Sequence, residues 1–513
     1  MTRSPRITFT LRNERNGLCS CTDNCNSHQR ESAHRISVMT RNKSAVIVGS
    51  GPNGLAAAIA LARTGVHVTV LEAAPTIGGC LRSEALTLPG CLHDAGAAVF
   101  PLTKASPFLS ALPLERHGLT WIEPEIPIAH ALDGDDAVAQ MHDLDATASL
   151  LGEDGAQWRR WIQPLLQAWP SLLEDALSPP LRVPRHPLKM ASLGMLALQS
   201  AKHIAMQLKT ERAQAFFAGL AAHTNTPLDM AASAGPGFLL AAAAHSTGWP
   251  IVHGGSQKLA DAMAAYLQEL GGEVITQHRI ASLRELPYAD VVLLDVTPQQ
   301  FVAMATDRLS NHETQMLASV HRSPGVCKVD WALSSPIPWT AELPRRAGTV
   351  HLGGSFAEIA ASERNAWEGR INDKPYVLLS QPSLFDPTRA PAGMHTAWAY
   401  CHVPNGSSDN FTEAIEAQVE RFAPGFRSTI LARHTRTAIE MEHWNPNLLG
   451  GDISGGAMTL KQILLRTHYR TPVARVYLCS SSTAPGGGVH GMCGWHAAAA
   501  AAKDMGLPRL RLV

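Results

Sequence analysis

Gly49, Gly51 and Gly54 are spaced G-x-G-x-x-G in the stretch AVIVGSGPNGLAAAIALARTGVHVTVLE (45–72), which ends on an acid, Glu72. Each glycine answers a steric demand: Gly49 a tight strand-to-helix turn, Gly51 a close approach of backbone to a diphosphate, Gly54 a close packing of helix on strand. With Pro52 and Asn53 between them, they set a helix N-terminus, with its free N–H groups and partial positive charge, under two phosphates. Glu72, followed by Ala73, stands where an acid accepts hydrogen bonds from ribose hydroxyls, and a carboxylate there repels a 2′-phosphate. The chemistry these residues suit is dinucleotide binding, with a 2′-phosphorylated nucleotide disfavoured.

Two further sets of residues extend that site. In EAAPTIGGCLRS, Gly78 and Gly79 imply a second close backbone approach, and Arg82 and Ser83 follow within reach of a phosphate or a ring. Near the other end, STAPGGGVHGMCGWHAAAAAAKDMG carries Gly486, Gly487 and Gly488, which let backbone lie against a flat ligand, then Val489 and His490. The alanine-rich helix after them points its N-terminus at whatever lies there, where it stabilises negative charge by about 1 kcal/mol. His490 is the candidate base; an ordinary backbone-bonded histidine is an equal alternative. Asp94, in CLHDAGAAVFP, reads as an acid that fixes a turn.

The elements that must hold these residues are legible in outline. Ala45–Val48 suits a strand buried on both faces, Leu55–Arg63 a helix stopped by Gly65, and Val66–Leu71 a second strand. Ser256 is placed to cap a helix whose buried stripe is Leu259, Met263, Tyr266, Leu267 and Leu270, ended by Gly271 and Gly272. Strands are expected at Glu273–His278, Val291–Leu294 and Val476–Cys479, and Asp295–Pro298 should pass near the ligand. Residues 116–245 read as mainly helical, with Trp158, Trp161, Leu165 and Trp169 on one buried face and Pro164 as a kink. Within them Met190–Ala201 reads as a buried helix, the alternative being a helix that dips into a membrane. Residues 301–440 alternate like an antiparallel sheet flooring a substrate pocket. His402, on that sheet, reads as structural, with a pocket-facing role as the alternative.

Taken in order, G-x-G-x-x-G with Glu72, GG-x2-RS, P-x-x-GG (Pro250 to Gly255), PSLFDPTRAPAG and STAPGGGVHG resemble the phytoene desaturase-related FAD-dependent oxidoreductases, and among them the subgroup of pyridine nucleotide-disulfide oxidoreductase domain-containing protein 2. The resemblance spans almost everything after residue 44. It implies an α/β fold: a Rossmann-type FAD-binding domain, glutathione reductase-like or amine oxidase-like, with an interleaved α+β substrate domain. The FAD-binding parts would be 44–115, 246–300 and 441–513, and the substrate or cap parts 116–245 and 301–440. FAD would be held by Gly49, Gly51, Pro52, Asn53, Gly54, Glu72, Ala73, Gly78, Gly79, Arg82, Ser83, Ile280 (through its backbone, at the adenine), Gly487, Gly488 and Val489. Ser480 and Ala484 depart from the glycine and histidine common in that family, so neither carries a role over. The implied activity is hydride transfer from an apolar or amphipathic substrate to flavin N5. The alternatives are a flavin-dependent redox isomerase or saturase and a non-enzymatic FAD-stabilised interaction protein.

Composition sets the outer bounds. The 513 residues suffice for two to four structural units. Lysine plus arginine, and aspartate plus glutamate, each number 43, so no global field favours nucleic acid or an anionic surface. A peripheral membrane contact stays open only locally. There is no C-x-x-C, no second strand–G-x-G-x-x-G–helix for NAD(P)H, no G-x-S-x-G and no Walker A sequence, which argues against a disulfide reductase, an acyl hydrolase and a P-loop enzyme. No metal site is expected, including at Cys19, Cys21 and Cys25. Residues 1–43 read as a disordered extension, Met39 lying just before the first strand. The expected compartment is cytoplasmic, or the mitochondrial matrix in a eukaryote. The partner is a small-molecule substrate, with no nucleic acid and an unread oligomeric state.

Overall fold

A computed structural model describes residues 43–180 and 183–512. The expected extension and its three cysteines, apart from Lys43, lie outside the described residues. Two sheets organise the chain. Their strands are β1 (Ser44–Val48), β2 (His67–Leu71), β3 (Ile126–Ala131), β4 (Ala137–Gln140), β5 (Glu273–Ile275), β6 (Val291–Leu294), β7 (Gly325–Leu333), β8 (Ala347–Leu352), β9 (Val377–Ser380), β10 (His395–Val403), β11 (Ile430–Arg436) and β12 (Val476–Leu478).

The first sheet is parallel, in the order β12-β6-β1-β2-β5. Its inner strands β1 and β6, and β12 beside them, are apolar on both sides because both faces are covered. On one face Ala45, Ile47, Val68, Val70, Val291 and Leu293 pack on helices α1 (Pro52–Ala62), α6 (Gln257–Glu269) and α10 (Met492–Asp504). On the other, Val46, Val48, Leu71, Val292 and Leu294 pack on Ile280, Phe301 and Met304.

The second sheet has seven strands in the order β11-β7-β10-β9-β8-β3-β4. It is antiparallel except where β8 runs parallel to β3, with Ala347 opposite Ile126 and His351 opposite His130. Period two divides its faces. Cys327, Val329, Trp331, Ala397, Ala399, Val350 and Leu379 pack on Ile415, Val419 and Phe422 of helix α8 (Thr412–Phe422). The opposite face carries Lys328, Asp330, Trp398, Tyr400, His402, His351 and His130.

Between the sheets in sequence run α2 (Gly155–Gln167), α3 (Pro187–Ala197), α4 (Glu211–Ala221) and α5 (Ala234–Ser246), with α7 (Phe356–Trp367) and α9 (Ala438–Trp444) following later strands. Trp158, Trp161 and Leu165 are buried along α2, and Trp169 with them just beyond, where the helix ends at Ala168 downstream of Pro164. All of this lies in one compact unit, residues 42–513.

Two expectations are refined and three are corrected. Residues 116–245 are mainly helical, with β3 and β4 added as a hairpin closed at Leu132 and Asp136 around Asp133-Gly134, which completes the second sheet. The strands within 301–440 are antiparallel to one another, and only the pairing of β8 with β3 makes the sheet mixed. The Met190–Ala201 stretch is not a buried helix: α3 keeps Leu193 inside but leaves Met195 70% and Leu198 57% exposed, and Leu188 before them is 90% exposed. Ser256 makes no side-chain cap, because its helical backbone turns Oγ to the carbonyl of Ala97 at 2.7 Å. The C-terminal strand ends at Leu478, where Cys479 N–H still donates to Leu294 O at 2.9 Å.

Candidate functional site

The glycine turn between β1 and α1 is closed by steric necessity. A Cβ on Gly54 would stand 2.1 Å from Gly49 O, and one on Gly51 would stand 2.6 Å from Asp295 Oδ2. Gly49 takes φ +96°, and its N–H donates to Leu71 O at 2.8 Å. Glu72, at the end of β2, folds back on this turn: Oε2 accepts from Ser50 N at 2.8 Å and Ser50 Oγ at 2.6 Å, and Oε1 accepts from Ala74 N at 2.8 Å, flanking Ala73.

The second glycine pair packs directly on the first. A Cβ on Gly79 would meet Gly51 Cα at 3.1 Å, one on Gly78 would meet Ala260 of α6 at 2.9 Å, and Gly78 N–H donates to Ser50 O. Arg82 is spent locally: Nε donates to Gly79 O at 3.0 Å, Nη2 to Trp444 O at 2.9 Å, and its guanidinium lies 4.4 Å over the Trp444 ring. Ser83 belongs to a structural knot. Its Oγ donates to Asp94 and accepts from Gln257 N, while Asp94 also takes Ser256 N and the buried Arg389 guanidinium. Asp94 is therefore a turn-fixing acid. Ile280 is buried under the parallel sheet.

Helix α10 brings the C-terminal glycines to the same place. A Cβ on Gly494 would stand 1.9 Å from Asn53 O, and one on Gly491 3.0 Å from the Ala56 Cβ, so α10 crosses α1 at contact. Gly486 and Gly488 have φ of +122° and +123°, Val489 has φ +50°, and Gly487 lies against Ser454 O. Asn53 Oδ1, at the head of α1, is buried without a partner. His490 is buried with Nδ1 accepting from Met492 N at 3.0 Å. Burial, with His496 and Arg466 nearby, pushes it down to about 4, so the ring is neutral and tied to its own turn.

The polar face of the second sheet is turned toward this cradle, with Tyr400 packed near Cys80, Trp398 on Ala98 and Asp330 3.7 Å from His93. Lys328 and Asp330 form a buried ion pair under Trp398, and burial drives the lysine's pKa down against the pull of Asp330. His223, in the turn after α4, meets His351 with Nε2 atoms 3.2 Å apart; burial pushes His223 to about 3 and lowers His351 as well. Glu363 of α7 accepts from His402 Nδ1 at 2.7 Å. Trp398 Nε1, His402 Nε2, His351 Nδ1, His130 Nδ1 and Glu363 Oε1 are all buried without partners. Orphaned polar atoms gathered on one face mark a place where a ligand or water completes the bonding. The turn after α4 also reaches the C-terminal glycines, since Asn225 Nδ2 donates to Ser454 Oγ at 2.6 Å.

Several of these residues escaped the sequence reading. Trp444, Asn445 and Asn447 line the glycine cradle beside Asp295, the residue expected near the ligand, with Asn447 Nδ2 on Asp295 O at 2.7 Å and Asn445 Nδ2 on Cys80 Sγ at 3.0 Å. The Lys328–Asp330 pair had a signal: two charges two apart in the otherwise apolar VCKVDWAL. Among the described residues, no three of His, Cys, Asp or Glu cluster to hold a metal, and no helix is long and apolar enough to cross a membrane.

The parallel sheet with its glycine turn, joined to a mixed sheet turned toward it, is a Rossmann-type α/β fold of the amine-oxidase kind. Wild-type putrescine oxidase bound to putrescine superposes with a TM-score of 0.57 at 18% identity, over 90% of this chain and 99% of that one. The NAD(P)-binding Rossmann-like domain family matches residues 47–112. The chain's homologues include pyridine nucleotide-disulfide oxidoreductase domain-containing protein 2 of Mus musculus, 25% identical over 90% of this chain and 93% of that protein. They also include the neurosporene-forming phytoene desaturase of Rhodobacter capsulatus, 25% identical over 47% of this chain and 51% of that enzyme.

Proposed function

We propose that this protein is an FAD-dependent oxidoreductase that takes hydride from an apolar or amphipathic organic substrate lying on the polar face of the second sheet. The observation that carries the reading is the contact of Gly494 with Asn53, which joins two glycine segments from opposite ends of the chain at one helix N-terminus. FAD fits the residues present: a turn with no room for a Cβ at Gly51, an orphaned Asn53 Oδ1, and a second glycine run against which a flat ring can lie. Gly49 to Gly54 would hold its diphosphate, Glu72 and Ala73 the ribose, and Ile280 the adenine through backbone. Gly78, Gly79 and Arg82 would flank the diphosphate, and Gly487, Gly488 and Val489 the ring. FAD, when bound, supplies the hydride acceptor.

The chain's own residues orient and exclude water. Trp398 Nε1 and His402 Nε2, buried without partners, offer polar atoms suited to a hydroxyl or carbonyl on an otherwise apolar molecule. Trp398 and Tyr400, stacked with ring centroids 6.2 Å apart, offer it an apolar wall. His490 holds the glycine run in shape rather than acting as the base. We also propose that α3 and its neighbours touch a membrane surface from which such a substrate enters.

The test is the absorption spectrum of the purified protein with analysis of the released cofactor, followed by anaerobic mixing with polyene, amine and hydroxylated lipid candidates. Flavin absorption that bleaches with one class supports the proposal. Colourless protein that binds no added FAD overturns it.

A further inference from the structure

We propose that Asp295 couples dinucleotide binding to uptake of a proton: its carboxyl sits inside the glycine turn, on the N–H groups that receive the diphosphate, and must be protonated when the diphosphate is there. The inference rests on the FAD reading.

The geometry is specific. Of the N–H groups that open α1, Pro52 supplies none, Asn53 is left for an anion, Gly54 donates to Asp295 Oδ2 at 2.9 Å, and Leu55 donates to Gly51 O. The carboxyl thus sits as an anion would at the N-terminus of α1, on the Gly54 N–H. Asp295 Oδ2 lies where a Gly51 Cβ would be crowded out, and Asp295 Cβ lies 3.2 Å from the Cβ position of Gly49, so the group fills the turn rather than bordering it. An ionised Asp295 opposes a diphosphate there by like charge. A protonated one keeps the Gly54 bond and has an O–H to donate to a phosphate oxygen.

Among the described residues, no cation neutralises it from the surrounding elements. Glu72 faces it from β2, Cys80 from the Gly78–Gly79 segment, Cys479 from the end of β12 and Cys493 from α10. Burial raises all three thiols, which stay neutral. Arg82, beside Cys80, is committed to Gly79 O and Trp444. In support, burial and the Glu72 charge raise Asp295 to about 7, against the downward pull of the Gly54 N–H. The sign follows. Below pH 7 the acid is already protonated and binding exchanges no proton. Above pH 7 binding must take one up, and the FAD Kd rises about tenfold per pH unit.

The experiment titrates the full chain, stripped of nucleotide, with FAD by flavin fluorescence from pH 6 to pH 9, with circular dichroism at each pH to confirm folding. Wild type should weaken above pH 7 and take up close to one proton per FAD at pH 8, read with an indicator dye. Asp295→Asn keeps an acceptor for Gly54 N–H and cannot ionise; it should bind with a flat profile and, at pH 9, on the order of a hundredfold tighter than wild type. Asp295→Ala should also be flat. Glu72→Gln should move the midpoint down and keep the slope. A flat wild-type profile, or the wild-type slope persisting in Asp295→Asn, overturns the proposal while leaving the FAD reading intact. No FAD binding by either protein at any pH overturns both.

Discussion

At the scale of single residues, the Lys328–Asp330 pair is the one whose removal discriminates best between a structural and an incidental charge. Both side chains are almost fully buried, and His93 Nδ1 stands 3.7 Å from the same Asp330 oxygen, its pKa pushed by burial to about 4. A neutral His93 does not replace the lysine. Lys328→Met alone should therefore lower unfolding free energy by about 3 kcal/mol, because it leaves a carboxylate buried without its cation. Adding Asp330→Leu should recover most of that loss; urea unfolding of both variants measures it. Equal destabilisation in the single and double variants would mean that Lys328 acts through packing on Trp398 instead. Gly54 gives a second residue-scale test. A methyl there meets a backbone carbonyl at 2.1 Å, which cannot rotate away. Gly54→Ala should cost about 2–3 kcal/mol and shift the thermal midpoint down in a calorimetric scan.

Between elements, the crossing of α1 and α10 is the joint on which the cofactor reading turns. Gly494→Ala must separate the two helices, since the added methyl would lie 1.9 Å from Asn53 O. It should weaken FAD binding at least tenfold and lower stability by about 2–4 kcal/mol. Gly506→Ala, at the far end of the same helix with φ +73° and open space around it, should cost only about 1 kcal/mol of backbone strain and leave binding unchanged. Paired flavin titrations and melts check the contrast. The sequence was readable wherever a residue's type follows from local sterics: the glycines of the β1–α1 turn, the apolar run Val291–Leu294, the tryptophan stripe of α2. It was less readable where pairing is distant. β3 joins β8 across more than two hundred residues, and only the Asp133-Gly134 turn between β3 and β4 announced a hairpin. Asp295 could be placed near the ligand because it ends a buried strand. That its carboxyl turns into the glycine cradle depends on α1 lying beside β6, which no local pattern encodes.

Over the molecule as a whole, charge is balanced but unevenly spread, and one surface stands apart. From Ala176 to Thr210 the chain has no aspartate or glutamate, while it carries Arg182, Arg185, Lys189, Lys202 and Lys209, of which Arg185 pairs with Glu174 at 2.9 Å and Lys209 with Glu153 at 4.0 Å. The same stretch exposes Val183, Leu188, Met195, Leu198 and Met206. Read from sequence, so apolar a segment belongs inside; its exposure here reflects that, among the described residues, no element is laid over the outer face of α3. Apolar side chains among basic ones suit an anionic bilayer surface, where each basic residue contributes about 1 kcal/mol and the contact weakens with salt. Sedimentation with phosphatidylserine-containing vesicles should bring the protein down at low salt and release it as salt rises, whereas phosphatidylcholine vesicles should bind it far less. Leu188→Ser with Leu198→Ser, both exposed and so nearly neutral for stability, should reduce binding to the anionic vesicles by tenfold or more without changing the melting temperature. Vesicle binding untouched by these substitutions would place the membrane contact elsewhere. Self-association that the substitutions abolish would instead make this surface an interface between copies of the chain.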